Sequence, residues 1–363
     1  MKVAIDISQV VYDTGVSHYT RNLVKSLLEI DKVNNYLLLG GSFRQKKKII
    51  DFFTRLKKHS FERKLIPFPP SLADIIWNKL HILPIELFTG KIDVFHSSDW
   101  SQPPTSAFKV TTVHDLIPLI YPQLSHPKIV SAHKARFKWL KSEVDTIIVP
   151  SKATKADLLN FGIKMDKIAV IPEAPDPIFK HESKVRIEEI KKKYKIKGKY
   201  LLAVGITPRK NTERIIEAYA EIRKEMEIDL VIIGHSYINI EAKQGIVLPG
   251  LVDFGDIPAL YSGAQALVYP SLYEGYGLPI LEAFACKTPV VTSNQGSLKE
   301  VAQDAAILVN PTSVKSIIFG INEALVKREN IIANGVKRVK MFNWGKTADM
   351  TLKIYKKAVL FNK

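Results

Sequence analysis

Two glutamates in a glycine-rich window have the residue types and spacing of a ligand site. Gly275-Tyr-Gly-Leu-Pro279 follows Glu274 directly, and Glu282 lies in the helical pattern that begins there. Backbone amides at a helix start bind phosphate, and carboxylates accept hydrogen bonds from hydroxyl groups. The window predicts a site for a ligand with phosphate and hydroxyl groups. The alternative is that Glu274 caps the helix and Glu282 is a solvated or salt-bridged helix residue.

A pair of adjacent cations, Arg209 and Lys210, forms the second candidate. They lie in Gly205-Ile-Thr-Pro-Arg-Lys-Asn211, at the end of a strand-like run. Arginine offers a planar fork and lysine a point charge, a combination that can neutralise a diphosphate. A solvated basic surface is the alternative. The site is favoured because both windows follow strands and so lie at the same sheet edge.

His114 and Asp115 end another strand-like run, which places them at a sheet edge as well; a structural histidine is the alternative interpretation. The nine histidines form no HExxH or His, Asp, His pattern, and no Asp-x-Asp occurs. Cys286 is the only cysteine, which excludes an internal disulfide and a cysteine-based metal cluster. We therefore expect neither a metal site nor a bound cofactor.

Alternating strand and helix patterns must position these residues, which predicts an α/β fold with parallel sheets. Helical patterns occur after a turn at 13–15 and at 213–223, 278–285 and 346–360. The strand-like runs are residues 2–7, 36–39, 94–97, 110–114 and 146–150 in the first half, and 200–206, 230–234, 266–269, 289–292 and 306–309 in the second.

The length of 363 residues exceeds what one core usually organises. Three prolines at 172, 175 and 177 and a charged run separate the two series of strands. We predict a first doubly wound domain over 1–172, a second over 173–344 facing it across a cleft, and a terminal helix over 345–363 that crosses back to the first. In neither predicted domain is the first strand followed by GxGxxG, which argues against a nicotinamide-dependent dehydrogenase.

The charge is strongly positive: 53 Lys and Arg against 36 Asp and Glu give +17. Either an anionic partner or a generally basic surface explains it. The segment from Arg44 to Lys64 contains nine cations and two acids. Its apolar residues could pack in the core while its cations meet an anionic membrane. Those apolar residues, on one helical face, are Ile49, Phe52, Phe53 and Leu56.

The amino terminus lacks a signal-peptide pattern, and no window approaches about 18 uninterrupted apolar residues. With one cysteine, this predicts a cytoplasmic protein whose membrane contact, at the inner face, is peripheral.

The glutamate window, the preceding Pro-Arg-Lys-Asn211 loop and the following Thr288-Pro-Val-Val-Thr-Ser-Asn294 resemble the retaining glycosyltransferases of family 4, which have the GT-B fold. Matching segments extend to Phe342-Asn-Trp344. The resemblance implies metal-independent transfer from a nucleotide sugar bound by the second domain to a saccharide or lipid-linked acceptor bound by the first. The stretch from His114 to Pro118 resembles the mannosyltransferase branch, which favours GDP-mannose, although a UDP-sugar is also open.

The resemblance also implies roles for individual residues. Arg209 and Lys210 would neutralise the donor diphosphate, Glu274 would contact the donor sugar near its anomeric carbon, and Glu282 would bind the ribose. His114 would face the transferred sugar. The backbone positions implied for the donor site are Gly15, Gly205, Gly275, Tyr276, Gly277 and Leu278, of which Gly277 and Leu278 would hold the distal phosphate.

The chain departs from the family pattern at two positions: Lys287 stands where a glycine is common, and the amino-terminal loop keeps only Gly15. Two other functions fit parts of the sequence. A sugar-nucleotide epimerase would share two facing doubly wound domains. A nucleic-acid-binding protein would explain the charge, but the chain has no recognition-helix motif or aromatic and basic repeat, so nucleic acid is not expected.

Overall fold

A computed structural model describes residues 1–12, 14–42, 44–236 and 244–361. The predicted turn at 13–15 lies partly outside the described residues. The chain divides into two compact units, one of Met1–Glu173 with Asn343–Lys363 and one of Ala174–Phe342. Each is built on one parallel sheet covered by helices.

The first sheet has seven strands in the order β3-β2-β1-β4-β5-β6-β7, all parallel. Its strands are β1 (Lys2–Asp6), β2 (Asn35–Gly41), β3 (Glu62–Ile66), β4 (Val94–Ser97), β5 (Phe108–Thr112), β6 (Thr146–Val149) and β7 (Ile168–Val170). The helices that connect them are α1 (Gly15–Ile30), α2 (Lys46–Arg55), α3 (Pro70–Ala73), α4 (Glu86–Thr89), α5 (Ile117–Ile120), α6 (Pro127–Ser142) and α7 (Lys152–Asn160), with a π-helical turn at Asp74–Lys79.

The second sheet has six parallel strands in the order β10-β9-β8-β11-β12-β13. They are β8 (Tyr200–Ile206), β9 (Asp229–Ser236), β10 (Ile246–Gly250), β11 (Ala266–Tyr269), β12 (Val290–Ser293) and β13 (Ile307–Val309). The helices are α8 (Lys184–Lys193), α9 (Thr212–Glu225), α10 (Ile257–Gly263), α11 (Leu278–Ala285), α12 (Gly296–Ala302), α13 (Val314–Val326) and α14 (Arg328–Val339).

Both faces of the second sheet are buried, which is why its strands are continuous apolar runs. Leu202 and Leu267 pack into one buried cluster, whereas their neighbours Leu201 and Val268 pack into another. This alternation follows from the two-residue period of a strand. The predicted class, two doubly wound parallel-sheet units, is confirmed.

Three strands were not predicted: β3, β7 and β10. Strands β3 and β10 are sheet edges, and four of the five residues of β3 are exposed, so it lacks an apolar pattern. Strand β7 has only three residues. The charged run that follows the prolines at 172, 175 and 177, for which no helix was predicted, contains α8.

The basic segment from Arg44 to Lys64 begins as α2 and ends in β3, so it is not one helix. Its apolar stripe points into the first unit: Ile49 is fully buried and Phe52, the most exposed of the four, is 7% exposed. All nine cations are exposed. Within the described ranges no helix is long and apolar enough to span a membrane.

The carboxyl terminus returns to the first unit as α15 (Trp344–Tyr355) and α16 (Ala358–Phe361). Helix α15 packs against α1. The hydroxyl of Tyr355, which is fully buried, lies 2.7 Å from Nδ1 of His96 on β4. Burial lowers the pKa of His96 to about 3, so the ring is neutral.

Candidate functional site

Both windows identified in the sequence lie at one edge of the second sheet. The strand order reverses at β8, which pairs with β9 on one side and with β11 on the other. Ligands of open α/β sheets bind at the carboxyl ends of the strands at such a reversal. Residues 207–211 follow β8 and residues 270–277 follow β11, so the fold brings the two loops together.

Glu274 forms ion pairs with both predicted cations. Its Oε2 lies 2.5 Å from Nη1 of Arg209, and its Oε1 lies 2.7 Å from Nζ of Lys210. The three side chains are between 11% and 20% exposed. Arg209 also donates a hydrogen bond of 2.9 Å to the carbonyl of Tyr273, which fixes the guanidinium beside the loop.

The charges in this cluster keep Glu274 ionised. Burial alone would raise its pKa, but Lys210 and Arg209 outweigh burial and lower the pKa to about 2. Burial has the opposite effect on Lys210, whose pKa it lowers against the attraction of Glu274. Two cations face one carboxylate, so the cluster retains a surplus of positive charge that suits an anionic ligand.

Three side chains that sequence analysis did not select hold this cluster in place. The hydroxyl of Tyr269, at the end of β11, accepts a hydrogen bond from Nζ of Lys210. Ser297, in α12, donates a hydrogen bond of 2.7 Å to the backbone carbonyl of Glu274.

Asn211 is the third. Its Nδ2 donates to the carbonyls of Pro270 at 3.0 Å and Pro311 at 2.6 Å. It thereby ties the turn after β8 to the loops that follow β11 and β13. Its φ of 64° is in the left-handed region, which asparagine tolerates better than most residues. The asparagine that follows the two cations was therefore a sequence signal for a left-handed turn residue.

Two glycines allow the backbone to approach these side chains. Gly205 has a φ of +87°, and a Cβ there would lie 3.0 Å from Cγ of Lys210. Gly277 has a φ of +118°, and a Cβ there would lie 2.8 Å from Cδ2 of Leu298. The predicted helix start is confirmed at Leu278, and Pro279 is the second residue of α11.

Glu282 lies in α11, and its charge acts on Lys210. Its Oε2 accepts a hydrogen bond of 2.8 Å from the hydroxyl of Tyr261, which is fully buried in α10. Burial raises the pKa of Glu282 to about 7. The two glutamates therefore differ in protonation: Glu274 is held as a carboxylate, whereas Glu282 titrates near neutral pH.

The other positions of the second unit that the sequence predicts for a donor site differ in exposure. Tyr276 is 7% exposed and packs in the core, so its expected contribution would come from the backbone. Gly275 lies beside it in the same loop. Leu278 is partly buried against the core, and its backbone lies at the start of α11.

His114 and Gly15 lie in the first unit. Nδ1 of His114 is 2.8 Å from Oε1 of Glu173, a buried carboxylate that the sequence did not suggest because 59 residues separate the two. Burial lowers the pKa of His114, but Glu173 more than compensates and raises it above its usual value. Gly15 begins α1, and a Cβ there would meet nothing within 4 Å.

Metal-binding residues do not cluster in the described part of the chain, where no group of three or more His, Cys, Asp or Glu side chains could hold an ion.

Two family models together match most of the chain. The model "Glycosyltransferase Family 4" matches residues 14–177, and "Glycosyl transferases group 1" matches residues 186–338. The second match contains Arg209, Lys210, Glu274 and Glu282, and the first contains Gly15 and His114.

Individual relatives agree with these matches. O-antigen chain mannosyltransferase B of Escherichia coli is 28% identical over 98% of this chain and 100% of its own length. O-antigen chain mannosyltransferase RfbU of Salmonella typhimurium is 30% identical over 56% of this chain and 57% of its own.

Solved structures share the fold at lower identity. Sucrose-phosphate synthase from Thermosynechococcus elongatus has a TM-score of 0.72 at 18% identity, covering 99% of both chains. HepE of Anabaena in complex with UDP and glucose has a TM-score of 0.69 at 14% identity, covering 98% of this chain and 100% of the other.

Proposed function

Because the chain belongs to glycosyltransferase family 4 and has the GT-B fold, we propose that this enzyme transfers a hexose, with retention of its anomeric configuration, to a saccharide or lipid-linked saccharide. The donor is a nucleotide-diphosphate sugar, and GDP-mannose is favoured over a UDP-sugar. The names of the two O-antigen relatives support mannose.

The observation that carries this proposal is that Glu274 forms ion pairs with both Arg209 and Lys210 where the strand order of the second sheet reverses. In the reaction, the bond between the anomeric carbon and the diphosphate oxygen breaks, and negative charge grows on the leaving diphosphate. Arg209 and Lys210 stabilise that charge from fixed positions, so they need little reorganisation. Helix α11 adds the positive end of its dipole near the distal phosphate.

Glu274 acts on the other side of the same bond. As the diphosphate leaves, the sugar acquires oxocarbenium character, and a carboxylate that stays ionised stabilises positive charge at the anomeric carbon. The acceptor hydroxyl attacks from the face that the diphosphate leaves. Its proton passes to an oxygen of the departing diphosphate, so a new bond to the sugar replaces the old one with retention. His114 faces the transferred sugar, and its contact with Glu173 fixes the orientation of its ring.

Transfer assays test the proposal. GDP-mannose, UDP-glucose and ADP-glucose are each offered with a saccharide acceptor panel, and the product is analysed by mass and by the NMR coupling at the new linkage. We expect a glycosylated acceptor with the donor's anomeric configuration, unchanged by EDTA. A changed nucleotide sugar without acceptor would indicate an epimerase, and an inverted linkage would refute retention.

A thermal-shift panel tests the donor separately. A nucleotide sugar that binds only the folded protein raises its melting temperature by mass action. We expect GDP-mannose to give the largest shift and Arg209→Ala to abolish it. Arg55→Ala, which changes an exposed arginine of α2, is the matched control.

Association with an anionic membrane at its cytoplasmic face is part of the proposal. The apolar stripe of α2 is buried in the first unit, so it does not insert into lipid. The exposed cations between Arg44 and Lys64 would instead meet anionic headgroups at the surface, an electrostatic contact that weakens with salt.

A further inference from the structure

The sequence signature Phe342-Asn-Trp344, to which the proposed reaction gives no role, begins the helix that returns the chain to the first unit. Asn343 caps α15, because its Oδ1 accepts a hydrogen bond of 2.9 Å from the amide of Lys346. Trp344 is the first residue of the helix and is 7% exposed. The signature therefore fixes where α15 starts and which side chain is buried there.

Trp344 packs in a row with two other rings of the first unit. Its ring centroid lies 5.8 Å from that of Tyr19 on α1, and the centroid of Tyr19 lies 4.6 Å from that of His114. Both pairs are edge-on, with interplanar angles of 65° and 82°, an arrangement that aromatic rings favour. The hydroxyl of Tyr19 also lies 3.0 Å from Oγ1 of Thr112. The ring of His114 therefore rests against a tyrosine that α15 and β5 hold in place.

The other end of α15 supports the same tyrosine. Tyr355, the last residue of the helix, contacts Nδ1 of His96 through its hydroxyl. Nε2 of His96 in turn lies 3.0 Å from Oγ1 of Thr112, which contacts Tyr19. All four side chains are buried. Helix α15 is thus connected to Tyr19 from its first residue and from its last.

Thr347, one turn after Trp344, fixes the chain beside the partner of His114. Its hydroxyl donates a hydrogen bond of 2.8 Å to the carbonyl of Pro172, which belongs to the same peptide unit as the amide of Glu173. Glu173 lies after β7 in a stretch without helix or strand, so no backbone ladder holds it. Thr347 and Glu173 are both buried. The hydrogen bond therefore places the backbone from which the carboxylate reaches the histidine.

The charge of His114 depends on Glu173. Burial favours the neutral ring and lowers the pKa of His114, and among the charges that raise that pKa Glu173 has the largest effect. Displacement of the carboxylate would leave burial to dominate, and the ring would lose its proton at a lower pH. Other ionisable side chains around the ring act less strongly, are paired or stay neutral, and they are Asp99, Arg136, Asp115, His96 and Tyr19.

Glu173 uses Nδ1 of His114, which leaves Nε2 for a ligand. Nε2 has no hydrogen-bond partner among the described residues, and the side chain is 13% exposed. A protonated ring donates from Nε2, whereas a neutral ring that donates from Nδ1 to Glu173 can only accept there. Because the carboxylate balances the imidazolium, this donor adds no net charge beside a sugar that becomes positive.

We propose that Trp344 and Thr347 of α15 are positioning residues for His114. They hold the histidine ring and Glu173 in contact, so that Nε2–H donates to a hydroxyl group of the transferred sugar. The inference rests on the proposed function for the role of His114. The contact itself exists without substrate, so it can be tested separately from transfer.

NMR titration of the histidine rings, in the whole protein without donor or acceptor, tests the contact. His114→Gln identifies its signal among the nine histidines. The measured pKa of His114 in the parent should lie above the ordinary value of 6.5. Thr347→Val keeps the shape of the side chain and removes its hydroxyl, so it should lower that pKa by about 0.5 to 1, equivalent to about three- to tenfold weaker proton binding. Thr347→Ser retains a hydroxyl and should restore the parent value.

Thr351→Val is the matched control. Thr351 is fully buried on the same helix, and its hydroxyl donates a hydrogen bond of 2.8 Å to the carbonyl of Thr347. Each valine variant loses one buried hydroxyl bond to a backbone carbonyl, so both should unfold at a lower temperature. Only Thr347→Val should change the pKa of His114. An unchanged pKa in Thr347→Val, or an equal change in both variants, would overturn the inference.

Transfer kinetics separate positioning from substrate binding. In Thr347→Val, kcat should fall with little change in the donor KM, and the alkaline limb of kcat/KM should move to lower pH by the same amount as the pKa of His114. Trp344→Leu removes the ring that packs on Tyr19 and should lower kcat about two- to tenfold, whereas Trp344→Phe should retain most of it. A raised KM with the parent kcat in both Thr347→Val and Trp344→Leu would contradict positioning.

The two proposals can fail independently. If transfer is observed but Thr347→Val keeps the parent pKa of His114, the inference fails and the proposed function stands. If the pKa moves as expected but no donor supports transfer, the proposed function fails and the link from α15 to His114 stands.

Discussion

At the scale of single residues, the proposed function gives Glu274 two roles. Without a ligand it is the counter-ion of Arg209 and Lys210, which are too deeply buried to be solvated well. In the proposed reaction, the diphosphate of the donor would take over that neutralisation, and the carboxylate would act on the sugar. We therefore expect removal of the Glu274 charge to affect nucleotide affinity and transfer rate differently.

Glu274→Gln tests this difference. Removing the negative charge strengthens the net positive field, so the affinity for GDP or UDP should stay or increase, whereas the transfer rate should fall at least about tenfold. Calorimetric titration and initial rates measure the two effects. Glu188→Gln, in an exposed ion pair with Lys191, is the control. A parallel loss of nucleotide affinity and rate would show that Glu274 only holds the site together.

The raised pKa of Glu282 predicts a pH effect on stability. Its pKa is about 7 in the folded protein, whereas the ordinary value for a solvated glutamate is 4.5, so between these values the folded state binds more protons than the unfolded state. The free energy of unfolding attributable to this group therefore falls as pH rises from about 4.5 to 7. Glu282→Gln should remove this fall and stabilise the protein by about 1–3 kcal/mol at pH 8, with little effect at pH 4.

Denaturant unfolding at pH 5, 6.5 and 8 measures the difference in stability between the parent and Glu282→Gln. The same carboxylate is the proposed acceptor for ribose hydroxyls, so nucleotide affinity should rise between pH 6 and 8 in the parent and be flat in Glu282→Gln. Equal stability differences at all three pH values would contradict the assigned titration.

At the scale of elements, the site depends on loops that leave three different strands. Asn211 connects the turn after β8 with the loops after β11 and β13 through two hydrogen bonds. Ser297 fixes the loop after β11 from α12. Precise placement of Arg209 and Lys210 therefore rests on contacts between elements rather than on the helix and strand propensities of the turn itself.

Two substitutions at Asn211 separate its hydrogen bonds from its backbone conformation. Asn211→Gly loses both bonds but keeps an easy left-handed φ, and should cost about 2 kcal/mol. Asn211→Ala also strains the backbone and should cost about 1 kcal/mol more. Thermal unfolding measures which variant is less stable, and Asn330→Ala, at an exposed position in α14, is the control. Equal losses of stability in the two variants would contradict a left-handed backbone conformation at residue 211.

At the scale of the whole molecule, the charge of +17 is distributed over both units. Arg209 and Lys210 account for a small part of it, and the exposed cations from Arg44 to Lys64 account for a net seven, nine bases less two acids. The rest covers the surface generally, including α8 and the residues that follow it.

Vesicle sedimentation tests whether the basic segment is a membrane contact. Replacing Lys46, Lys47, Lys57 and Lys58 by glutamate should abolish binding to phosphatidylglycerol vesicles, since each surface lysine contributes about 1 kcal/mol. Binding by the parent should also fall with salt and be absent on phosphatidylcholine. The same number of reversals in the second unit, at Lys184, Lys192, Lys197 and Lys199, should leave binding largely intact. Equal loss in both variants would point to the total charge instead.

The sequence alone determined the class of fold and several elements. Strands 200–206 and 266–269 and helix Leu278–Ala285 were predicted with the bounds that the structure has, because long apolar runs and a Gly-Leu-Pro helix start are local signals. It also predicted that Arg209, Lys210 and Glu274 lie at one sheet edge, where the structure has them, since loops that follow parallel strands meet there.

Only the tertiary structure decided how those residues pair and what supports them. The ion pairs of Glu274, the links made by Asn211 and the contact of His114 with Glu173 join loops that follow different strands. Local periodicity does not encode the order of strands in a sheet, so it cannot say which loops become neighbours.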